Sequence, residues 1–491
     1  MYVSTRGNGQ TQGASQAIAD GMVPGGGLYV PTVIPKLDWQ ELQGLTYAGA
    51  ARHILELYLP DFPAETLTEA TSVYASSEIF TGGDPAQLRA VGGLGVLELW
   101  HGPTAAFKDL ALQVLPVLLR QSLQMSRASA GVLILVATSG DTGKAALEGF
   151  KNVPGTQIVV FYPDGGVSPV QERQMVTTNG RNTHVVAVRG NFDQCQTAVK
   201  EMFASEPLRA RLEQQQLALS SANSINWGRL LPQIVYYAWA YLQAVAAGKA
   251  APGTPINVVV PTGNFGNILA AYYAKRMGIP LARLICASNK NKVLTDFFAT
   301  GTYESRRPFY LTMAPSMDIL ISSNFERFLY EMSGREAANI RQWFDELARA
   351  GHFAVDAETL RACQENMWAG WADEDEILRV IGKYYEDCGY VFDPHTAVAV
   401  KVYEDYVRTT GDRTYSVVAS TASPFKFSAS VLRGLGEETA PDDWEALHRL
   451  QEKTGWEIPR ALRDLQAKPE QEVLHAEPQE LEEIITRQFS A

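Results

Sequence analysis

The chain has 491 residues, 46% of them apolar, 20% charged and 10% aromatic, which excludes a peptide scaffold, a collagen-like repeat and wholesale disorder. Its 42 basic against 54 acidic side chains leave a net charge of −12, the wrong sign for a surface that neutralises a nucleic-acid backbone. Cys195, Cys286, Cys363 and Cys388 are far apart and the seven histidines show no ligand spacing, so neither a disulfide framework nor a metal is expected.

In chain order, the opening Met1 to Gly7 has neither the apolar core of a signal peptide nor an Arg-rich amphipathic leader, and the expected location is the cytoplasm. From about Val96 short β-branched runs are followed by Gly-rich turns and helical patterns, the mark of an α/β fold around parallel strands. A strand is expected over Val96 to Trp100. The run Gly131 to Ala137 (GVLILVA) predicts a strand buried on both faces, leading through Ser139-Gly140-Asp141-Thr142-Gly143 into a helix from Lys144 to Phe150. Gln157 to Tyr162 and His184 to Arg189 are further strands.

The apolar stretch Leu230 to Ala247 carries Pro232, Gln233, Gln243 and three tyrosines, and predicts a buried helix instead of a membrane span. A strand at Asn257 to Val260 then runs into Pro261-Thr262-Gly263-Asn264-Phe265-Gly266-Asn267 and a helix from Ile268 to Met277. Arg283 to Ala287 and Tyr415 to Ala419 complete the strands. Between about 289 and 387 charged, Trp-containing helical patterns predict a helical insert, and the last fifty residues predict a helical tail.

Gly-rich turns that open helices bind anions through free N–H groups and the helix dipole. Two nucleotide motifs fail on inspection. Thr138 replaces the first Gly of a P-loop and Ala145 its metal-binding hydroxyl, while Glu98 stands where the third Gly of a dinucleotide fingerprint belongs. Gly263 to Asn267 suits a single phosphate, although a purely structural turn reads equally well. Lys108, in Trp100-His101-Gly102-Pro103-Thr104-Ala105-Ala106-Phe107-Lys108-Asp109, follows a strand and is flanked by small residues and Phe107. An isolated lysine is ordinarily a solvated charge; desolvation here would lower its pKa and free its amine as a nucleophile.

The segments HGPTAAFKD, ATSGDTG, NSINWGR, PTGNFGN, SMDILISSNFER and STASPFKF, with YVSTRG and GGGLYVP at the start, together resemble the threonine synthase family, fold-type II pyridoxal-phosphate enzymes with a tryptophan synthase β-like fold. The resemblance spans residues 2 to 427. It implies pyridoxal 5'-phosphate as cofactor, Lys108 as the lysine that carries it, Gly263, Asn264, Phe265, Gly266 and Asn267 as the cup for its phosphate, and Thr421 as the partner of its ring nitrogen, with Ser423 the nearest competitor. It also implies Ser139, Gly140, Asp141 and Thr142 as a substrate-carboxylate cradle and Asn223, Ser224 and Arg229 as the substrate-phosphate site. Asp141 is awkward there, because an ionised side chain repels a carboxylate.

The implied activity is that of a carbon–oxygen lyase acting on phosphates, converting O-phospho-L-homoserine and water to L-threonine and phosphate in threonine biosynthesis. A threonine dehydratase or an O-phosphohomoserine phospholyase are the alternatives. The expected organisation is an N-terminal region (1–95), an α/β domain with the lysine and carboxylate loops (96–230), a second α/β domain with the phosphate loop and the insert (231–440), and a helical tail (441–491). A small-molecule substrate is expected, with no nucleic-acid or membrane partner; oligomeric state is left open.

Overall fold

A computed structural model describes residues 1–126, 131–438 and 440–489. Residues 127–130 of the expected first domain, residue 439 of the second and residues 490–491 of the tail lie outside the described residues. Two sheets dominate. The smaller has the order Val473–Ala476, Thr183–Val188, Thr156–Pro163, Gly131–Ala137, Leu217–Ser221, with every neighbouring pair parallel. The larger has the order Met367–Trp371, Leu281–Ser288, Ile256–Pro261, Ser416–Ser420, Leu94–Glu98, Gln87–Val91, parallel except for the last pair. Gly131–Ala137 and Ile256–Pro261 are buried throughout, as continuous apolar strands covered on both faces must be.

Several expectations are corrected. The helical insert contains Met367–Trp371, which pairs with Leu281–Ser288 at the edge of the larger sheet. Its five residues, flanked by helices, are too short to set a period of their own. The helical tail contributes Val473–Ala476, which pairs with Thr183–Val188, and its helix Leu481–Phe489 covers a face of that sheet through Leu481 and Ile485. Leu217–Ser221 is a further strand missed in the sequence, because its half-buried residues do not alternate cleanly.

The expected grouping of chain segments also changes. Leu94–Glu98, the strand ahead of Lys108, pairs with Ser416–Ser420 in the larger sheet and not with Gly131–Ala137, and the N-terminal region adds Gln87–Val91 to the same sheet. The expected boundary at 230/231 falls inside the buried helix Trp227–Ala246. One apolar core joins the N-terminal helices, that helix and inner faces of both sheets, running from Ile18, Ile54 and Leu55 through Val132 and Ile134 to Val258 and Val260. Among the described residues, no helix is long and apolar enough to cross a membrane.

The helices after both Gly-rich turns begin earlier than their apolar patterns suggest, at Asp141 and at Gly266. The turn residues therefore occupy the first helical turn, where N–H groups lack intrahelical acceptors. The helix Asp141–Phe150 meets the short helix Asp109–Leu112 so closely that a Cβ on Gly149 would lie 2.1 Å from the Leu112 carbonyl oxygen. Neither backbone can yield cheaply inside this core. Gly149→Ala is expected to destabilise the fold by about 1–3 kcal/mol, read as a lower urea midpoint with an unchanged slope; an unchanged midpoint would mean the two helices are not in fixed contact.

Candidate active site

The carboxyl ends of strands in both sheets converge on a cleft that encloses about 640 Å³ of atom-free space, part of it open to solvent. Lys108 reaches it from the loop after Leu94–Glu98. That loop turns through a left-handed residue, Ala105 (φ 57°), and is strapped to the turn after Ser416–Ser420: Phe107 N–H donates to the Thr421 carbonyl at 2.9 Å and Ser423 N–H to the Ala105 carbonyl at 3.0 Å. Lys108 and Thr421 are thus held across one short β-bridge, Ala106 to Ala422. Asp109 closes the loop by accepting from Thr104 N–H at 2.8 Å and Thr104 Oγ1 at 2.7 Å.

Gly263, Asn264, Phe265, Gly266 and Asn267 all line the cleft. The left-handed position is Phe265 (φ 63°), and neither Gly263 nor Gly266 has positive φ. The glycines serve close approach instead. A Cβ on Gly263 would lie 2.9 Å from the Ser316 carbonyl oxygen, and one on Gly266 would touch Asn324 and Ser224 at 3.4 Å. Asn267 Oδ1 lies 2.8 Å from the Tyr236 hydroxyl and also beside that of Tyr237, while its buried Nδ2 has no hydrogen-bond partner among the described residues. An orphaned buried donor costs free energy unless something accepts from it.

Asn223, Ser224 and Arg229 share this cleft. Asn223 is fixed by Nδ2 donating to the Ala137 carbonyl at 2.9 Å. Arg229 is buried; Nη1 donates to the Ala222 carbonyl at 2.9 Å, and Nε has no hydrogen-bond partner among the described residues. Burial pushes this guanidinium down to about 10, against the pull of Tyr236 and Asp109. Of the expected carboxylate cradle, only Thr142 is among the residues that line the cleft; Ser139 is half-buried, and Gly140 adopts φ 124° with its N–H donating to Thr138 Oγ1 at 3.0 Å. Asp141 turns away to pair with Lys426 Nζ at 2.5 Å.

Burial pushes the Lys108 amine down to about 8; Asp141 opposes this, while Arg229 and Lys426 reinforce it. Burial alone would raise the Asp141 carboxyl, but Lys426 and Lys108 outweigh it and hold the group well below the usual carboxylate range. Asp109 goes the other way: burial pushes its carboxyl up to about 7 in spite of the Thr104 donors.

Further residues belong to the site that the sequence left without a role. His395 lines the cleft, with Nδ1 2.8 Å from Asp393 Oδ1 and Nε2 accepting from Ser316 N–H at 3.1 Å. Asn324 donates to Ser224 Oγ at 3.0 Å, and the buried Arg327 binds Asn324 Oδ1 at 2.5 Å, the Ile225 carbonyl at 2.6 Å and the Tyr29 carbonyl at 2.9 Å. Ser316, Asn324, Arg327 and Lys426 stand inside motifs quoted above, but nothing in their local pattern says which loop each one reaches. Among the described residues, no cluster of His, Cys, Asp or Glu could hold a metal ion.

Comparison with known proteins gives three matches to family descriptions: "Pyridoxal-phosphate dependent enzyme" over residues 96–420, "Threonine synthase N terminus" over 1–73 and "Threonine synthase, C-terminal" over 396–485. The chain is 43% identical to human threonine synthase-like 1 over 86% of its length, but spans only 58% of that relative. It is 36% identical to threonine synthase of Schizosaccharomyces pombe, over 88% of each chain. The crystal structure of PLP-bound threonine synthase from Brucella melitensis superposes with a TM-score of 0.86 at 37% identity, over 100% of this chain and 99% of that one.

The Asp109 environment sets a pH dependence. A carboxyl whose pKa is raised on folding binds its proton more tightly in the native state, so its contribution is full below the unfolded value and is lost as pH rises through the folded one. The window lies between about 4 and about 7. Asp109→Asn removes the titration, so wild-type stability should fall relative to this variant by more than about 1 kcal/mol between pH 4.5 and 8 in urea unfolding. Parallel profiles would place the Asp109 carboxyl in water.

Proposed function

We propose that this chain, which belongs to the threonine synthase family of pyridoxal-phosphate dependent enzymes, carries pyridoxal phosphate on Lys108 and converts O-phospho-L-homoserine and water to L-threonine and phosphate. The observation that carries this reading is the gathering of two candidate anion-binding groups with the half-buried Lys108 in a single cleft: Gly263–Asn267, and beside it Asn223, Ser224 and Arg229.

The residues present fit the cofactor. The orphaned Asn267 Nδ2 offers a donor to a phosphate oxygen, and Gly263 and Gly266 let the loop pack closely against Ser316, Asn324 and Ser224 at the cleft. Thr421 supplies a neutral hydroxyl at the cleft wall, which does not favour a protonated pyridine as a carboxylate would. Bound there, pyridoxal phosphate supplies the electron sink that makes the Cα proton of an attached amino acid acidic.

The chain's own residues do the rest. The helix start at Asp141–Thr142 aims its dipole at the substrate α-carboxylate. Arg229, with Asn223 and Ser224, holds the γ-phosphate that must leave, and its guanidinium fork suits phosphate oxygens. With its amine lowered to about 8, Lys108 holds an appreciable neutral fraction near neutral pH; it takes the Cα proton and then a Cβ proton, so that the γ-phosphate leaves with the C–O electron pair, and a proton is returned at Cγ. Water then adds at Cβ, which makes the product threonine. We place this reaction in the cytoplasm; four free thiols, at Cys195, Cys286, Cys363 and Cys388, suit a reducing compartment.

Incubation with O-phosphohomoserine, with threonine, 2-oxobutyrate and phosphate all measured, decides between this and the alternatives. Threonine should match phosphate nearly one to one. A phospholyase would release 2-oxobutyrate in place of threonine, and a dehydratase would prefer threonine or serine as substrate. Arg229→Leu removes charge-assisted hydrogen bonds worth roughly 1.5–3 kcal/mol each, so kcat/KM should fall at least about tenfold while the visible absorption of the loaded enzyme is unchanged. An unaffected kcat/KM would remove Arg229 from the phosphate site.

A further inference from the structure

An ionised Asp141 in the expected carboxylate cradle has no evident use in the reaction, yet its side chain is held by three hydrogen bonds. It is buried, and both oxygens are occupied: Oδ1 accepts from Lys426 Nζ at 2.5 Å and from Gln171 Nε2 at 3.0 Å, and Oδ2 accepts from Ser316 Oγ at 3.2 Å. Lys426 is also buried, and donates to the Thr104 carbonyl at 3.1 Å. Thr104 in turn holds Asp109 beside Lys108. The pair therefore ties together the Lys108 loop, the start of helix Asp141–Phe150 and the turn after Ser416–Ser420.

Stability alone is a poor reason for such a pair, since two buried charges lose hydration that their attraction barely recovers, and apolar residues of similar size often do as well. Their effect on neighbouring charges is more specific. A lone carboxylate at this helix start would repel an incoming anion, and a lone ammonium would oppose the protonated form of Lys108.

We propose that Asp141 and Lys426 form a charge-balanced positioning pair: Asp141 anchors the helix start beside Lys108, and Lys426 cancels its charge so that the cradle accepts an anionic substrate group. The proposal rests on Lys108 as the reactive amine and assigns the pair to control of its protonation. The charged groups acting on Lys108 from the elements packed around it are Asp141, Arg229 and Lys426. His395, paired with Asp393, lines the same cleft, and Asp109 follows Lys108 on its own segment. Of the three principal charges, Asp141 alone favours the ammonium form.

The signs make the proposal testable. Asp141→Asn leaves Lys426 uncompensated and should lower the pH midpoint at which Lys108 becomes reactive. Lys426→Met leaves Asp141 uncompensated and should raise it, each by about one pH unit. The double variant should return to the wild-type midpoint, and Lys426→Arg should stay near it. The midpoint is read by trace acetylation of the full chain, freed of pyridoxal phosphate so that the Lys108 amine is available, with acetic anhydride across pH, followed by peptide mass spectrometry of Lys108. Circular dichroism establishes that each variant is folded; should Lys426→Met not fold, Lys426→Gln, which keeps a donor for the Thr104 carbonyl, carries the same expectation. A purely structural pair would give single-variant shifts of one sign, or none, and a double variant no closer to wild type; any of these overturns the proposal. Labelling reads the amine without turnover, so it stands apart from the product analysis that tests the reaction itself.

Discussion

A lysine that is to react as an amine must be taken out of water and still be held within reach of its partners, and in this chain both conditions rest on the strap between the Lys108 loop and the Thr421 turn. Phe107 N–H to the Thr421 carbonyl and Ser423 N–H to the Ala105 carbonyl fix the loop where the larger sheet ends, and the cleft walls leave Lys108 half-buried. The lowered amine, the paired Asp141 and the raised Asp109 all follow from that burial. Each neighbour either opposes its effect on charge or adds to it.

The second constraint is distance along the chain. Lys426 and Asp141 are 285 residues apart, Arg327 and Tyr29 are 298, and Arg6 and Glu326 are 320. Arg327 is the clearest case. It draws the N-terminal hairpin Tyr2–Ser4 and Tyr29–Pro31 against Asn324 and the Ser224–Ile225 backbone, so the first thirty residues brace the segment assigned to the substrate phosphate. Such a region adds no side chain to the cleft and still decides where one sits.

These distances explain what could be read in advance. Gly131–Ala137 is legible because a short apolar, β-branched run that ends in a Gly-rich turn has the length of a strand buried on both faces, whereas Gly263–Asn267 reads equally as a turn or a phosphate loop from its glycines and asparagines alone. Met367–Trp371, Leu217–Ser221 and Val473–Ala476 are short or half-buried strands whose identity comes from the neighbour that they pair with. The same holds for the site: Lys108 and Arg229 could be named from their motifs, but the neutralisation of Asp141 depends on Lys426, which no local pattern connects to it. The apparent conflict at Asp141 was a missing long-range partner.

Reduction of the pyridoxal-phosphate-loaded enzyme with borohydride, followed by proteolysis and peptide mass spectrometry, should place the pyridoxyl group on Lys108, the lysine strapped to Thr421 and lowered by burial. A label on Lys144, Lys426 or any other lysine would contradict the account, because the cofactor would then lie outside the geometry from which the rest is argued.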